Sequence, residues 1–467
     1  MALHAGGVQN VWHAFSVRTI IDVIRWSPLR SDHRLLSRNP PGCKSHDAAR
    51  QNRRFSVICV ICGYCVCGTI PVVTTDKTFD VAVVGAGVFG AWTAYLLKRA
   101  GAEVLLLDAY GPGNNRASSG GESRMIRMGY GPDQIYTRMA QRSLALWQEL
   151  FDRIGRAGKS LFQPTGILWL APENDPYCRA TLETLDQCQV VYERLDRVEL
   201  LQRYPQLELG AATWAILEPN SGVLLARQAV QAVVTEALTL TVTYQREAVF
   251  PPKLPGNDDG GTKLGSLHTI SGREILAKQF VFACGPWLPK IFPALLGELI
   301  HVTRQEVFFF GVPAGAASSH FGPEGMPAWI DFHDLVYGIP NIDNRGFKIA
   351  IDAHGPPFDP EIGDRMVSIA GLAAARSYLV RRMPALAHAP VTETRVCQYE
   401  NTSNGDFLID RHPEFENVWF AGGGSGHGFK HGPAVGEHVT ALISGNANVE
   451  PRFALTSKEK TQQRKVY

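Results

Sequence analysis

Along this chain, short apolar runs bounded by glycine and proline alternate with stretches of helical period. Val81–Val84 is an apolar run of buried-strand type, and Ala91–Ala100 carries apolar residues at helical spacing. A second strand is predicted over Glu103–Leu107, ending at Asp108. Far downstream, "KQFVFACGPWLPK" reads as a strand running into Gly285-Pro286-Trp287. "NVWFAGGGSGHGFKHGPAVGEHVTALISG" reads as a strand, a glycine-rich loop and an amphipathic helix. Between them, "FQPTGILWLAP", "GVLLARQAVQAV", "RQEVFFFGVP" and "VYGIPNIDNRGFKIAIDAHG" are strands and one helix broken by Gly/Pro turns, and "PGNDDGGTKLG" is a mobile hairpin loop. This interleaving predicts an α/β (α+β) fold: a Rossmann-like domain assembled from separated segments, and a second domain on a mixed or antiparallel sheet. The division expected is 78–163, 225–300 and 392–450 for the first domain and 164–224 and 301–391 for the second, with an N-terminal extension over 1–77 and a C-terminal tail over 451–467.

The first strand is followed at once by Gly85-x-Gly87-x-x-Gly90 and a helix, and Asp108 stands 23 residues beyond Gly85. The three glycines serve, in turn, the tight turn, the close approach of backbone to a diphosphate, and the close packing of helix on strand. The helix N-terminus offers N–H groups and positive dipole to the diphosphate, and Asp108 can accept from an adenosine ribose. The unit therefore binds a dinucleotide. A second Gly-rich strand–helix unit so late in the chain favours a long flavin, FAD, lying across the sheet; a helix N-terminus or cation there would stabilise charge on the reduced ring.

Composition changes this picture little. Of 467 residues, 45% are apolar and 19% charged, with a net charge of +2, which describes a globular chain with no nucleic-acid surface. Nine cysteines without framework spacing argue against a disulfide scaffold. Four of them (Cys59, Cys62, Cys65, Cys67) have zinc-like spacing, but they lie in an apolar run without polar turn residues, and no metal site is expected. The uncharged run from Phe55 to Val73 follows Arg53-Arg54 and has the length of a signal anchor or span. Against a span stand Gly63, Gly68, Pro71 and the four cysteines; the preferred reading takes the biological start near Val72 or Val73, with residues 1–77 non-native or disordered and the protein cytoplasmic.

With its motifs assembled, the chain resembles the monomeric sarcosine oxidase family from Phe79 to about Gly445. The resemblance rests on "SSGGESRMIRMGY", "EPNSGVL", "VCQYENTSNGDFLID" and "GGGSGHGFKHGPAVGE". It implies a monomeric FAD-dependent oxidase that takes a secondary, N-alkyl amino acid to an imine and O₂ to hydrogen peroxide. Cys397 falls at the family's thioether link to the flavin. Arg127 and Lys430 match the clamp on the substrate carboxylate, Arg124 an arginine beside the ring, and Lys348 the lysine that activates oxygen. Tyr337 and Tyr399 match aromatic groups near the substrate, and His427, in the SGHGFK loop, is a candidate contact to substrate or flavin. The cofactor would be held by Gly85, Gly87, Val88, Phe89, Gly90, Asp108, Ser118, Arg124, Gly285, Trp287, Cys397, Gly424, Gly426, Gly428 and Lys430.

Two positions depart from the family. Gly120 stands where a histidine near the flavin is common, and Asp352 replaces an active-site histidine; His354, on the same strand face by alternation, is a candidate to compensate. Two other readings of the motifs remain open: a flavin dehydrogenase that passes electrons to a quinone or carrier, anchored through residues 55–73, and a non-catalytic FAD-binding scaffold.

Overall fold

The computed structural model describes residues 73–253 and 262–463. The cysteine cluster, the apolar run up to Val72 and most of the "PGNDDGGTKLG" loop lie outside the described residues.

Two large sheets organise the chain. The first orders its strands Leu408–Arg411, Val418–Gly422, Arg273–Phe282, Val73–Val84, Val104–Asp108 and Thr243–Arg246, with Ser266–His268 added against Arg273–Phe282. Its central pairs are parallel, with Val81 opposite both Val104 and Gln279. Strand Val73–Val84 is longer than its apolar run because Arg273–Phe282 continues the ladder back to Val73, through an irregularity between Thr74 and Thr78. The second strand and the helix are also shifted, to Val104–Asp108 and Val88–Arg99.

Alternation along Val73–Val84 feeds two cores. Val81 and Val83 pack with Trp92 and Trp147 on one face, while Ala82 and Val84 pack with Phe280, Phe282 and Leu288 on the other. A sheet buried on both faces explains why these strands read as continuous apolar runs. The helix Val88–Arg99 packs against Gly432–Ile443, and their separation is set by glycine. A Cβ on Gly432 would meet Val88 Cγ2 at 2.4 Å, and one on Gly436 would meet the Trp92 carbonyl carbon at 2.9 Å.

The second sheet runs Val391–Thr402, Ile300–Phe310, Phe347–Ile351, Val336–Ile339, Ala328–Asp331, Ile167–Ala171, Trp214–Glu218 and Glu193–Asp196. Leu168 and Leu170 point into its own core with Phe308, Trp329 and Tyr378, while Ile167 and Trp169 face the core of the first sheet. The expected division put residue 392 onward with the cofactor sheet. Strand Val391–Thr402 instead pairs antiparallel with the whole of Ile300–Phe310, and the chain rejoins the first sheet at Leu408–Arg411. The described part of the C-terminal segment is docked: Arg452 donates to Asp133 Oδ2 at 2.8 Å and Asp406 Oδ1 at 2.7 Å, and Phe453 is buried. No helix among the described residues is long and apolar enough to cross a membrane.

The helix–strand contact gives a stability prediction. A Cβ on Gly90 would lie 1.8 Å from the Gly85 carbonyl oxygen, whereas one on Gly265 meets nothing within 4 Å. Gly90→Ala is expected to lower the unfolding free energy by about 1–3 kcal/mol, the usual cost of overpacking. Gly265→Ala should stay within about 0.5 kcal/mol. Denaturant midpoints at unchanged slope read both.

Candidate active site

A cavity of about 320 Å³ opens at the carboxyl ends of the parallel strands, where open α/β sheets take ligands. Its lining follows the sheet: Asp108, then Gly85 and Gly87, then Cys284, Gly285 and Trp287, then Gly424, Gly426 and Gly428. The second sheet closes it with Cys397, Gln398, Tyr399 and Glu400, and Ser118 and Arg124 complete the wall. Val88 and Phe89 line it from the first helical turn.

The glycine loop is shaped for close approach. Gly85 has φ +103°, and a Cβ there would sit 2.3 Å from the Ala283 carbonyl oxygen. Ser119 Oγ accepts the Val88 N–H at 3.0 Å and so caps the helix from another segment. Asp108 accepts three backbone N–H groups, from Ala86 at 2.7 Å, Tyr110 at 2.8 Å and Gly111 at 2.7 Å. Burial raises its pKa and these amides oppose the rise. About four lone-pair sites serve a carboxylate, so one is left for a ribose hydroxyl. A narrow glycine floor, helix amides and a nearly satisfied acid fit a dinucleotide.

At the other end Arg124 donates to the Ser118 carbonyl at 2.7 Å and reaches Cys397 Sγ at 3.4 Å. Burial works against its charge, but Cys397, Tyr337 and Tyr399 around it hold its pKa above the ordinary value. Tyr337 and Tyr399 are hydrogen-bonded to each other; burial pushes the Tyr337 hydroxyl up to about 12 and Tyr399 well above its usual range. Arg127 and Lys430 are buried and both contact the Tyr130 ring, 4.5 Å and 5.1 Å from its centre. Arg127 also lies 4.7 Å from the Trp169 ring, and Lys430 Nζ donates to the His427 carbonyl at 2.9 Å.

Asp352 is half-buried, at the end of Phe347–Ile351, with its N–H on the Leu335 carbonyl. Burial lifts its pKa to about 6 against the pull of Arg127 and Lys430. Most of the predicted site residues thus line one cavity from both sheets; Arg127, Lys430 and Tyr337 are not in its lining, and Lys348 and His427 are engaged elsewhere. Lys348 is buried in a neighbouring cavity of about 100 Å³ with Glu122, Ser123, Phe309 and Arg345, and Nζ donates to the Ser123 carbonyl at 2.9 Å. Burial, then Arg124, push its pKa well below the usual lysine value. Both ring nitrogens of His427 are engaged, by Gly405 O at 3.0 Å and Tyr130 Oη at 3.2 Å, so its contacts are with the protein.

The departures also resolve physically. At Gly120 a Cβ would lie 1.8 Å from the Asn114 carbonyl oxygen, so a side chain has no room there. His354 does not extend the Lys348 face, because the strand ends at Ile351; its pKa is lowered by burial and then by His301 beside it. Glu218 is a key residue that sequence reading missed. Buried at 1% exposure, it accepts from Met128 N at 2.7 Å, Gly129 N at 2.9 Å, Trp169 Nε1 at 2.9 Å and Ser221 Oγ at 2.6 Å. It thereby fixes the backbone directly after Arg127. Its place in "EPNSGVL" was visible, but a single acid carries no signal of its donors.

Residues 80–442 match the model of the family described as FAD dependent oxidoreductase. The monomeric sarcosine oxidase of Bacillus sp. (strain NS-129) is 31% identical over 374 residues, 78% of this chain and 93% of the relative. The peroxisomal sarcosine oxidase of Homo sapiens is 30% identical over 377 residues, 78% of this chain and 92% of its own length. Among solved structures, L-proline dehydrogenase from P. horikoshii shares the fold with a TM-score of 0.68 at 20% identity, covering 81% of this chain and 97% of that one.

Asp352 generates a pH prediction. Below about pH 6 its carboxyl is neutral and leaves the charge of Arg127 and Lys430 uncompensated; above it, the carboxylate competes with any anion near them. Affinity for acetate as a probe ligand, followed by flavin absorbance, is expected to fall by about an order of magnitude between about pH 5 and pH 8. Asp352→Asn should remove that step.

Proposed function

Because the chain belongs to the FAD dependent oxidoreductase family, and within it to the sarcosine oxidase group, we propose that it oxidises a secondary, N-alkyl amino acid. The observation that carries this reading is the pairing of two buried cations, Arg127 and Lys430, on the Tyr130 ring and close to Asp352, which in turn lies near Tyr337 and the cavity-lining Tyr399. Such a pair suits one carboxylate, and a planar guanidinium fixes its orientation. FAD held in this cavity would supply a two-electron acceptor that O₂ can reoxidise, for an overall conversion of amine and O₂ to imine and hydrogen peroxide.

The chain's own residues would do the rest. The Gly85–Gly90 loop and helix N-terminus take the diphosphate. Arg127 and Lys430 hold the carboxylate, which orients the reacting C–H bond. Their positive field also favours the neutral amine, whose lone pair the oxidation needs. Cys397 is the proposed covalent attachment point, through Sγ, and Lys348 the cation that favours transfer of charge to oxygen. The lowered pKa of Lys348 means that this cation is lost as pH rises through its folded-state value. The monomeric relative supports a monomer.

Anaerobic addition of a panel of N-methyl amino acids should bleach the flavin absorbance; a panel that leaves the spectrum unchanged throughout rejects the proposal. With a substrate in hand, Lys348→Met should slow reoxidation by air by about 10²-fold or more while sparing anaerobic reduction. A reoxidation rate equal to that of the parent removes the role given to Lys348. For the tether, acid-precipitated protein should stay yellow, and Cys397→Ala should release its flavin to the supernatant. A colourless parent precipitate rules the covalent link out.

A further inference from the structure

Glu400 is a buried acid used by neither the fold nor the proposed reaction. It follows Tyr399 on the strand Val391–Thr402, opposite Val302, and is 7% exposed. Oε1 accepts the Gly424 N–H at 3.1 Å. Oε2 is buried and has no hydrogen-bond partner among the described residues. The carboxyl lines the cofactor cavity, and glycines from two loops stand back from it. A Cβ on Gly422 would lie 3.5 Å from Oε2, one on Gly285 3.8 Å from Oε2, and one on Gly424 3.5 Å from Oε1. A buried carboxyl oxygen is costly to leave unmatched, so its open direction into a ligand cavity marks a missing partner.

The position along the cavity says which part of FAD that partner is. The glycine loop at Gly85–Gly87 and the start of the helix would take the diphosphate, and Arg124, Cys397 and Tyr399 line the cavity where the ring would lie. Glu400 follows Tyr399 along its strand and reaches across to Gly285 and Gly424 at the strand ends of the cofactor sheet. The span of FAD between diphosphate and ring is the ribityl chain, whose hydroxyls both donate and accept. We propose that Glu400 is a cofactor-binding residue whose Oε2 hydrogen-bonds a ribityl hydroxyl of FAD. Burial, opposed by the Gly423 and Gly424 amides, brings the carboxyl pKa to about 7, so both protonation states are populated near neutrality. A hydroxyl satisfies either state, whereas a diphosphate would repel the ionised one. The proposal rests on FAD binding and not on the identity of the amine.

The test uses the full chain carrying Cys397→Ser and stripped of flavin, titrated calorimetrically with FAD and separately with ADP, which lacks the ribityl chain. Glu400→Met keeps the length of the side chain and removes the hydrogen bond. It is expected to weaken FAD by about tenfold or more and to leave ADP within about twofold. Glu400→Gln, which can still donate and accept, should restore FAD to within about threefold of the parent. Where Glu400→Met lacks the circular dichroism of the parent, Glu400→Ala takes its place in the same comparison. Equal FAD affinity in the parent and the apolar variant overturns the proposal. An equal loss for FAD and ADP overturns it too, because the contact would then be to the diphosphate. The readout is binding alone, so a failed substrate panel leaves this result standing, and the converse holds.

Discussion

The first turn of the helix Val88–Arg99 rests directly on the Gly85 carbonyl, and the cavity is organised around that contact. Gly85 N–H bonds the Leu107 carbonyl at 2.7 Å and Ala283 N–H bonds the Val84 carbonyl at 2.8 Å, so three parallel strands end at one level. That level is where the helix amides, Asp108 and Gly285 converge. Any side chain at Gly85 or Gly90 would push the helix off the sheet and move its N-terminus away from the cavity floor. The three acceptor bonds of Asp108 then tie the glycine loop to the turn after the next strand, which makes the floor rigid before any ligand arrives.

The second sheet supplies what this floor lacks. The pairing of Val391–Thr402 with Ile300–Phe310 carries Cys397, Tyr399 and Glu400 across to the cavity, and Glu218 holds the segment that presents Arg127. Four cations, Arg124, Arg127, Lys348 and Lys430, are gathered in this region. Their mutual repulsion is eased in different ways. Burial and Arg124 lower the Lys348 pKa, Asp352 offers a carboxylate above about pH 6, and Arg127 and Lys430 lean on the Tyr130 ring.

The parts legible in the sequence are those where a position admits one residue type for one physical reason. Gly85 and Gly90 could be read because a side chain at either would strike the backbone of the turn and the helix contact. The motifs around Cys397 and Lys430 were legible for a different reason, their resemblance to a family. What stayed hidden depends on partners far along the chain. The Thr-, Asp- and Lys-rich stretch before Phe79 does not read as apolar strand, yet Arg273–Phe282 gives it a ladder to join. The register of Val391–Thr402 with Ile300–Phe310 moved the expected domain boundary past residue 402, since sheet membership is a long-range property. Ser119 as a helix cap and Glu218 as a tether are invisible for the same reason: a polar side chain does not announce which amide it will meet.

The buried carboxyls separate folding from binding. Glu218 takes four protein donors. Asp331 takes Tyr378 Oη at 3.1 Å, Arg382 at 3.3 Å and the backbone N–H groups of His333 and Asp334. Both are saturated by the chain, as expected of acids that hold segments together. Asp108, on the cavity wall, keeps one site open after three amides, and Glu400 keeps a whole oxygen open. Unsatisfied acceptor capacity therefore rises towards the cavity, in the residues that face into it. A fold optimised for stability alone would have filled those positions; a fold that must recognise a polyhydroxylated cofactor leaves them for the ligand to complete.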